Sequence, residues 1–206
     1  MVRRTKEEAQ ETRNRILDAA ERVFVERGVA RTSLNEIATA AGVTRGAIYW
    51  HFQDKADVFN AMMTRVTLPF EEATRHSDDP DGEPLANLRA IFAMVLDKAM
   101  NDPQVRRVFE IATHKVEYVD ELTAVRDRHL SVRNEFEGNL ARALELAAGR
   151  GQIVLRMPAA TVALGLHALF DGLIQNWLLD PGAFDLVNVG GQLVNDYLDG
   201  LKARDR

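Results

Sequence analysis

The chain has 206 residues, 46% of them hydrophobic, with 26 Lys and Arg against 31 Asp and Glu and a net charge of −5. That length allows one large domain or a small one joined to a larger, with enough apolar material for a substantial core. The absence of cysteine excludes a disulfide framework and a thiolate zinc site, and the charged first ten residues lack the apolar stretch of an export signal, so a cytoplasmic protein is expected.

The charge is unevenly spread. Residues 1 to 55 carry ten Lys and Arg against eight Asp and Glu, a balance of +2, whereas residues 56 to 206 carry sixteen against twenty-three, a balance of −7. The first quarter is therefore the favourable landing surface for a polyanion, and the remainder repels one. Residues 1 to 6, Met-Val-Arg-Arg-Thr-Lys, read either as a basic arm touching DNA through Arg3 and Arg4 or as a solvated terminus.

β-Branched residues are scattered and no stretch alternates cleanly, so every element is expected to be helical. The first helix covers residues 6 to 27, with Ile16, Leu17, Ala20, Val23 and Phe24 as its apolar stripe and Gly28 as its stop. Ser33 and Glu36 have capping-box spacing, which starts the second helix at Leu34. Leu34, Ile37, Ala38 and Ala41 share one face, and Gly42 stands where the chain must turn with positive φ. Thr44 caps a third helix whose Ala47 and Ile48 point back at Ala38. Arg45, Gly46, Tyr49, Trp50 and His51 are left facing outward, with Lys55 just beyond. Small residues at the crossing, the glycine turn and the exposed basic and aromatic face together spell a helix-turn-helix. An ordinary helical hairpin has no use for two exposed aromatics and two basic groups on so short a helix.

A fourth helix follows over residues 54 to 75, capped by Asp54 and carrying Val58, Phe59, Met62, Met63 and Val66. Residues 76 to 84 form a polar, acidic loop with two prolines. Helices are then expected over residues 85 to 100, 104 to 118 and 120 to 148, with apolar positions at helical spacing throughout, which makes a bundle. The helix over residues 159 to 179 is apolar nearly all round. It is interrupted by Gly165, His167, Asp171, Gly172, Gln175 and Asn176, too often to span a bilayer. The last helix, residues 184 to 202, repeats Leu186, Val189, Leu193, Val194, Tyr197 and Leu201 on one stripe, with Gly190 and Gly191 allowing close approach. These two helices read either as part of an intramolecular core or as a twofold four-helix interface, and the second is favoured because one helix-turn-helix reads few base pairs and dimers bind two half-sites.

The stretch from Thr32 to Lys55, together with Arg-Arg-Thr-Lys-Glu-Glu-Ala-Gln-Glu-Thr-Arg near the start, resembles the TetR family of bacterial transcriptional repressors. The opening from Arg3 to Arg13 and the Tyr-Trp-His-Phe segment are similar to the multidrug-efflux branch of that family. The resemblance implies an all-α protein: a three-helix helix-turn-helix domain over residues 1 to 53, then a helical-bundle domain for effector binding and dimerisation over residues 54 to 206. It further implies a homodimer on a palindromic double-stranded DNA operator, released by a small lipophilic or aromatic effector, with no cofactor and no metal. Carried over by position, Arg45 reads base edges, while Thr44, Tyr49, His51 and Lys55 hold phosphates. Thr32 and Ser33 stand at the phosphate-facing start of the second helix, and Gly46 lies on the same DNA-facing surface. Trp50 either packs beneath the module or touches the backbone.

Phe92, Val95, Phe109, Phe136 and Phe170 are candidate effector-site walls, and His114 and Asp171 candidate polar anchors. Asp171 is the more telling, because a carboxylate in so apolar a helix is costly unless paired or hydrogen-bonded. Two alternatives remain at this level. One is a regulator of a metabolic operon answering to an acyl-CoA or other metabolite. The other is a helical-bundle enzyme using Glu110, His114 and Glu117 as metal ligands. The second lacks the paired Glu-x-x-His motif, any phosphate loop and any nucleophile elbow.

Overall fold

The computed structural model describes residues 2–75, 82–117 and 122–202, with side chains from residue 6 onward. The side chains of Arg3 and Arg4, most of the expected 76–84 loop and the 118–120 helix boundary fall outside the described residues. Among those described there are nine α-helices and no strand. They are α1 Val2–Arg27, α2 Leu34–Ala41, α3 Arg45–His51, α4 Lys55–Arg75, α5 Pro84–Asn101, α6 Pro103–His114, α7 Thr123–Gly149, α8 Ala159–Leu179 and α9 Leu186–Asp199.

The chain divides into two compact units. One comprises Met1–Thr67 with Arg107–His129, the other Leu68–Arg106 with Leu130–Arg206. In the first, Ile16, Leu17, Ala20 and Phe24 of α1 meet Ile37 and Ala38 of α2, Ile48 of α3, and Val58, Phe59 and Met62 of α4, all buried. This is the core that the apolar stripe of α1 requires, since no single helix buries its own stripe. Arg107–His129, which holds most of α6 and the start of α7, joins this unit, and two contacts tie it there. The Val29 amide donates to the Lys115 carbonyl at 2.9 Å. Glu21, only 1% exposed, accepts from Arg65 of α4 and, at 3.2 Å, from Arg107 of α6. A buried carboxylate needs such partners.

In the second unit, α9 packs against α5 and α8. Gly190 makes the first contact possible, because a Cβ there would lie 3.2 Å from Leu96 Cδ1. Gly165 makes the second: a Cβ would lie 2.6 Å from Tyr197 Oη, which donates to the Val162 carbonyl at 2.9 Å. By length and composition α8 reaches the threshold of a membrane span, with mean hydropathy 1.2, although the interruptions in its sequence argue otherwise. It buries Val162, Ala163, Leu166, Phe170, Ile174 and Trp177 inside the unit.

Candidate nucleic-acid interface and effector region

The helix-turn-helix is assembled by its caps. Ser33, in extended conformation, accepts from the Glu36 amide at 3.3 Å while its own amide donates to Glu36 Oε2 at 2.8 Å, a closed capping box. The Ser33 amide holds the Glu36 carboxyl below its ordinary value, helped by the Arg27 guanidinium paired with it. Gly42 turns the chain at φ 65°, where any side chain is strained, and the Val43 amide returns to the Ala38 carbonyl at 3.0 Å. Thr44 then accepts from the Ala47 amide at 3.1 Å and opens α3. Ile48 and Phe52 are buried beneath it, with the Arg13 guanidinium 5.0 Å above the Phe52 ring.

What α3 leaves outside is the set the sequence singles out. Arg45, Gly46, Tyr49 and Trp50 are exposed, and Thr44 stands beside them. The Arg45 guanidinium lies over the Tyr49 ring at 5.5 Å, which narrows its rotamers before any partner arrives. Trp50 is 73% exposed and touches the His51 ring edge-on, so it does not pack beneath the module. His51 is half-buried. Burial, then the Arg13 charge, pushes its imidazole down, so it meets a partner as a neutral donor or acceptor.

An open cleft of about 430 Å³ runs between the start of α2 and the end of α3, lined by residues including Arg31, Thr32, Ser33, Tyr49, Gln53 and Lys55. Hydroxyls, cations and a helix N-terminus in one concavity suit a phosphate. Two expected contacts are more inward than their type suggests. Lys55 is 6% exposed, with Nζ donating to the Ala30 carbonyl at 2.8 Å, and Thr32 is 3% exposed, donating to the Gly28 carbonyl at 2.8 Å. The loop carbonyls of residues 28 to 30 claim both side chains. Arg31 and Gln53 also line the cleft, though neither was singled out from sequence: Arg31 precedes the motif, and Gln53 sits in the short link between α3 and α4.

The effector candidates separate between units. Phe92, Val95, Phe136, Phe170 and Asp171 belong to the second unit, whereas Phe109 and His114 lie on the part of α6 assigned to the first. Phe92 contacts Phe170 at 4.8 Å and Phe136 at 6.2 Å between centroids, both edge-on. Edge-to-face rings of this kind stabilise a core and also wall a lipophilic site. The burial argument for Asp171 needs correcting. Its side chain is 51% exposed and its Oδ2 lies 3.4 Å from His167 Nε2, so exposure and a partner remove the expected penalty. His114 is exposed at the end of α6.

The last two helices of the second unit leave large apolar side chains exposed among polar ones. Leu164 and Leu179 on α8 are 53% and 71% exposed, and Val189 and Leu193 on α9 are 38% and 40% exposed.

Known proteins share this arrangement over the whole chain. Residues 16–62 match the bacterial regulatory proteins of the tetR family, and residues 83–203 match the C-terminal region of MAATS-type transcriptional repressors. The HTH-type transcriptional regulator TtgR of Pseudomonas putida is 41% identical over 203 residues, covering 98% of this chain and 97% of that protein. The structure of NalD, the secondary repressor of the MexAB-OprM multidrug efflux pump in Pseudomonas aeruginosa, aligns with a TM-score of 0.87 at 35% identity, covering 97% of this chain and 100% of that one. SmeT, repressor of a Stenotrophomonas maltophilia multidrug efflux pump, aligns in its triclosan complex with a TM-score of 0.85 at 31% identity, covering 92% and 91%. With a capped helix-turn-helix at one end, a helical bundle after it and full-length relatives that regulate transcription, the chain belongs to the TetR family of bacterial transcriptional regulators.

Proposed function

We propose that this chain is a cytoplasmic, homodimeric repressor of a multidrug efflux operon, bound to a palindromic operator and released by a small lipophilic or aromatic compound. The observation that carries the reading is the outer face of α3, where Arg45, Tyr49 and Trp50 stand exposed while Ile48 on the opposite side is buried in the core. Residues 1 to 53 do the DNA binding and residues 54 to 206 the sensing and pairing. Arg45 reads base edges, most naturally guanine O6 and N7. Thr44, Tyr49 and His51 hold phosphates, Gly46 lets the backbone approach, and Trp50 lies along the sugar-phosphate chain. Ser33 faces the phosphate in the cleft, with Lys55 and Thr32 supplying charge and shape behind it.

The effector lodges in the second unit among Phe92, Val95, Phe136 and Phe170, with Asp171 as a further contact. Its binding displaces α4, which runs unbroken from residues of one unit to residues of the other. The compound need only favour the arrangement that fits DNA poorly. A coupling of about 1–3 kcal/mol weakens operator binding roughly 5- to 150-fold. The names of NalD and SmeT as efflux-pump repressors, and the triclosan bound to SmeT, support this reading. The open apolar face of α8 and α9 supports pairing rather than membrane insertion, since charged and amide groups interrupt it. No cofactor is required and no catalysis is assigned.

The test is a gel shift on the DNA upstream of the protein's own gene, titrated with triclosan, a panel of antibiotics and plant phenolics. A retarded band that dissolves with at least one lipophilic compound is expected. A band that survives the whole panel while yielding to an acyl-CoA would move the protein to metabolic regulation.

A further inference from the structure

One titratable group in the second unit has no part in the reading above. His167 is 14% exposed on α8, with Nδ1 at 2.9 Å from Glu137 Oε1 of α7 and Nε2 at 3.4 Å from Asp171 Oδ2, one turn along its own helix. A neutral imidazole carries a single N–H and can donate to one of these carboxylates. Meeting both requires the doubly protonated ring. The same ring lies against Phe136, centroids 5.1 Å apart, and Phe136 leads through Phe92 to Phe170.

We propose that His167, as an imidazolium, is a positioning residue of the effector region: Nδ1 ties α8 to Glu137 of α7, Nε2 is held by Asp171 of α8 itself, and the ring held from both sides fixes where Phe136 stands in the aromatic cluster. The regulatory consequence rests on the proposed function, whereas the tie itself does not. Among the described residues, the charges acting on the ring are Asp171 from α8 and Glu137 from α7. Arg133, also on α7, stands behind them, its Nε 4.0 Å from the same Glu137 Oε1. α5 brings the apolar Phe92 against the Phe136 ring of α7. Burial alone pushes the imidazole down, but Asp171 and Glu137 outweigh it and hold it above its ordinary value. A raised folded-state pKa gives a tie that is fully present below the unfolded value, about 6.5. It is lost as pH rises through the folded value. Above that point one ring nitrogen loses its proton and one carboxylate loses its donor, so the imidazole is no longer held from both sides and Phe136 meets a less constrained neighbour.

The experiment uses the full chain. Histidine ring resonances are followed by NMR from pH 5 to 9, alongside the ring signals of Phe92, which meets the Phe136 ring that His167 contacts. The proposal expects His167 to be doubly protonated at pH 6.5, its titration to shift to lower pH in Glu137→Gln, and the Phe92 signals to follow the same titration. A singly protonated ring at pH 6.5, or Phe92 signals blind to the titration, overturns it. A second arm measures the triclosan concentration that half-releases upstream DNA across the same range. It should change by about fivefold or more in the wild type and stay flat in His167→Gln. Equal pH profiles in the two proteins overturn the positioning role. If triclosan releases neither protein at any pH, the effector assignment has failed, and the Phe92 titration alone decides the tie.

Discussion

Arg45→Ala is expected to abolish operator discrimination while leaving the fold and the dimer intact. Arg45 is the first residue of α3, exposed, with its guanidinium over the Tyr49 ring, so truncation exposes no core and orphans no buried group. A bidentate arginine–guanine contact is worth about 1–3 kcal/mol of discrimination. A twofold operator uses two, so the pair is worth about 2–6 kcal/mol, or roughly 30- to 10⁴-fold in the ratio of operator to scrambled duplex. Affinity for scrambled DNA should fall far less, by the loss of one charge per half-site. The check is a pair of anisotropy titrations at one salt concentration. Sequence preference that survives the substitution would remove Arg45 from base reading.

The second large effect concerns pairing. Leu164→Glu combined with Leu193→Glu should give folded monomers that bind operator weakly and without cooperativity. Both side chains are exposed in the isolated chain, on α8 and α9, so the substitutions cost the unit little. Across a twofold interface they would bring four carboxylates onto an apolar surface, a penalty of several kcal/mol. Half-site binding then loses the advantage of a linked partner. Sedimentation velocity reads the result, and a double variant that remains dimeric would show that the open face serves something else.

Much of this protein is written in local signals. Ser33 with Glu36, Gly42 at positive φ and Thr44 are short-range chemistry, each decided within four residues, and the helix-turn-helix forms as those residues indicate. The span of α8 is equally legible, because apolar continuity and flanking Pro158 and Asp180 bound it. The end of α6 is not. Periodicity carries it to residue 118, yet it stops at His114, where the Lys115 carbonyl turns to receive the Val29 amide from 86 positions earlier in the chain. α9 starts at Leu186 rather than at residue 184 because Asp185 caps it, accepting from the Asn188 amide at 2.9 Å, and it ends at Asp199, with Gly200 as its C-cap before Leu201.

Legibility fails in the same way at the sites. The outward residues of α3 follow from helix geometry, so their exposure is readable. The inward turn of Lys55 depends on the Ala30 carbonyl, 25 residues away. Asp171 looked like a buried charge because its helix is apolar. Four-residue spacing to His167 was the available clue to its partner, whereas Glu137 reaches the same imidazole from another helix and leaves no trace in sequence. The grouping of residues 107–129 with the N-terminal helices likewise depends on Glu21, a carboxylate whose burial only the assembled core reveals.

The central claim is that two copies of the stretch from Ser33 to Lys55 read one operator and let go when the bundle is occupied. Hydroxyl-radical footprinting of the upstream DNA, with and without triclosan, tests it most directly. The account predicts protected tracts related by twofold symmetry, their centres about 34–36 Å apart or a multiple of that, and their loss as the compound is added. A single unpaired tract, or twofold protection unchanged by triclosan and by every other lipophilic compound in the panel, would contradict it.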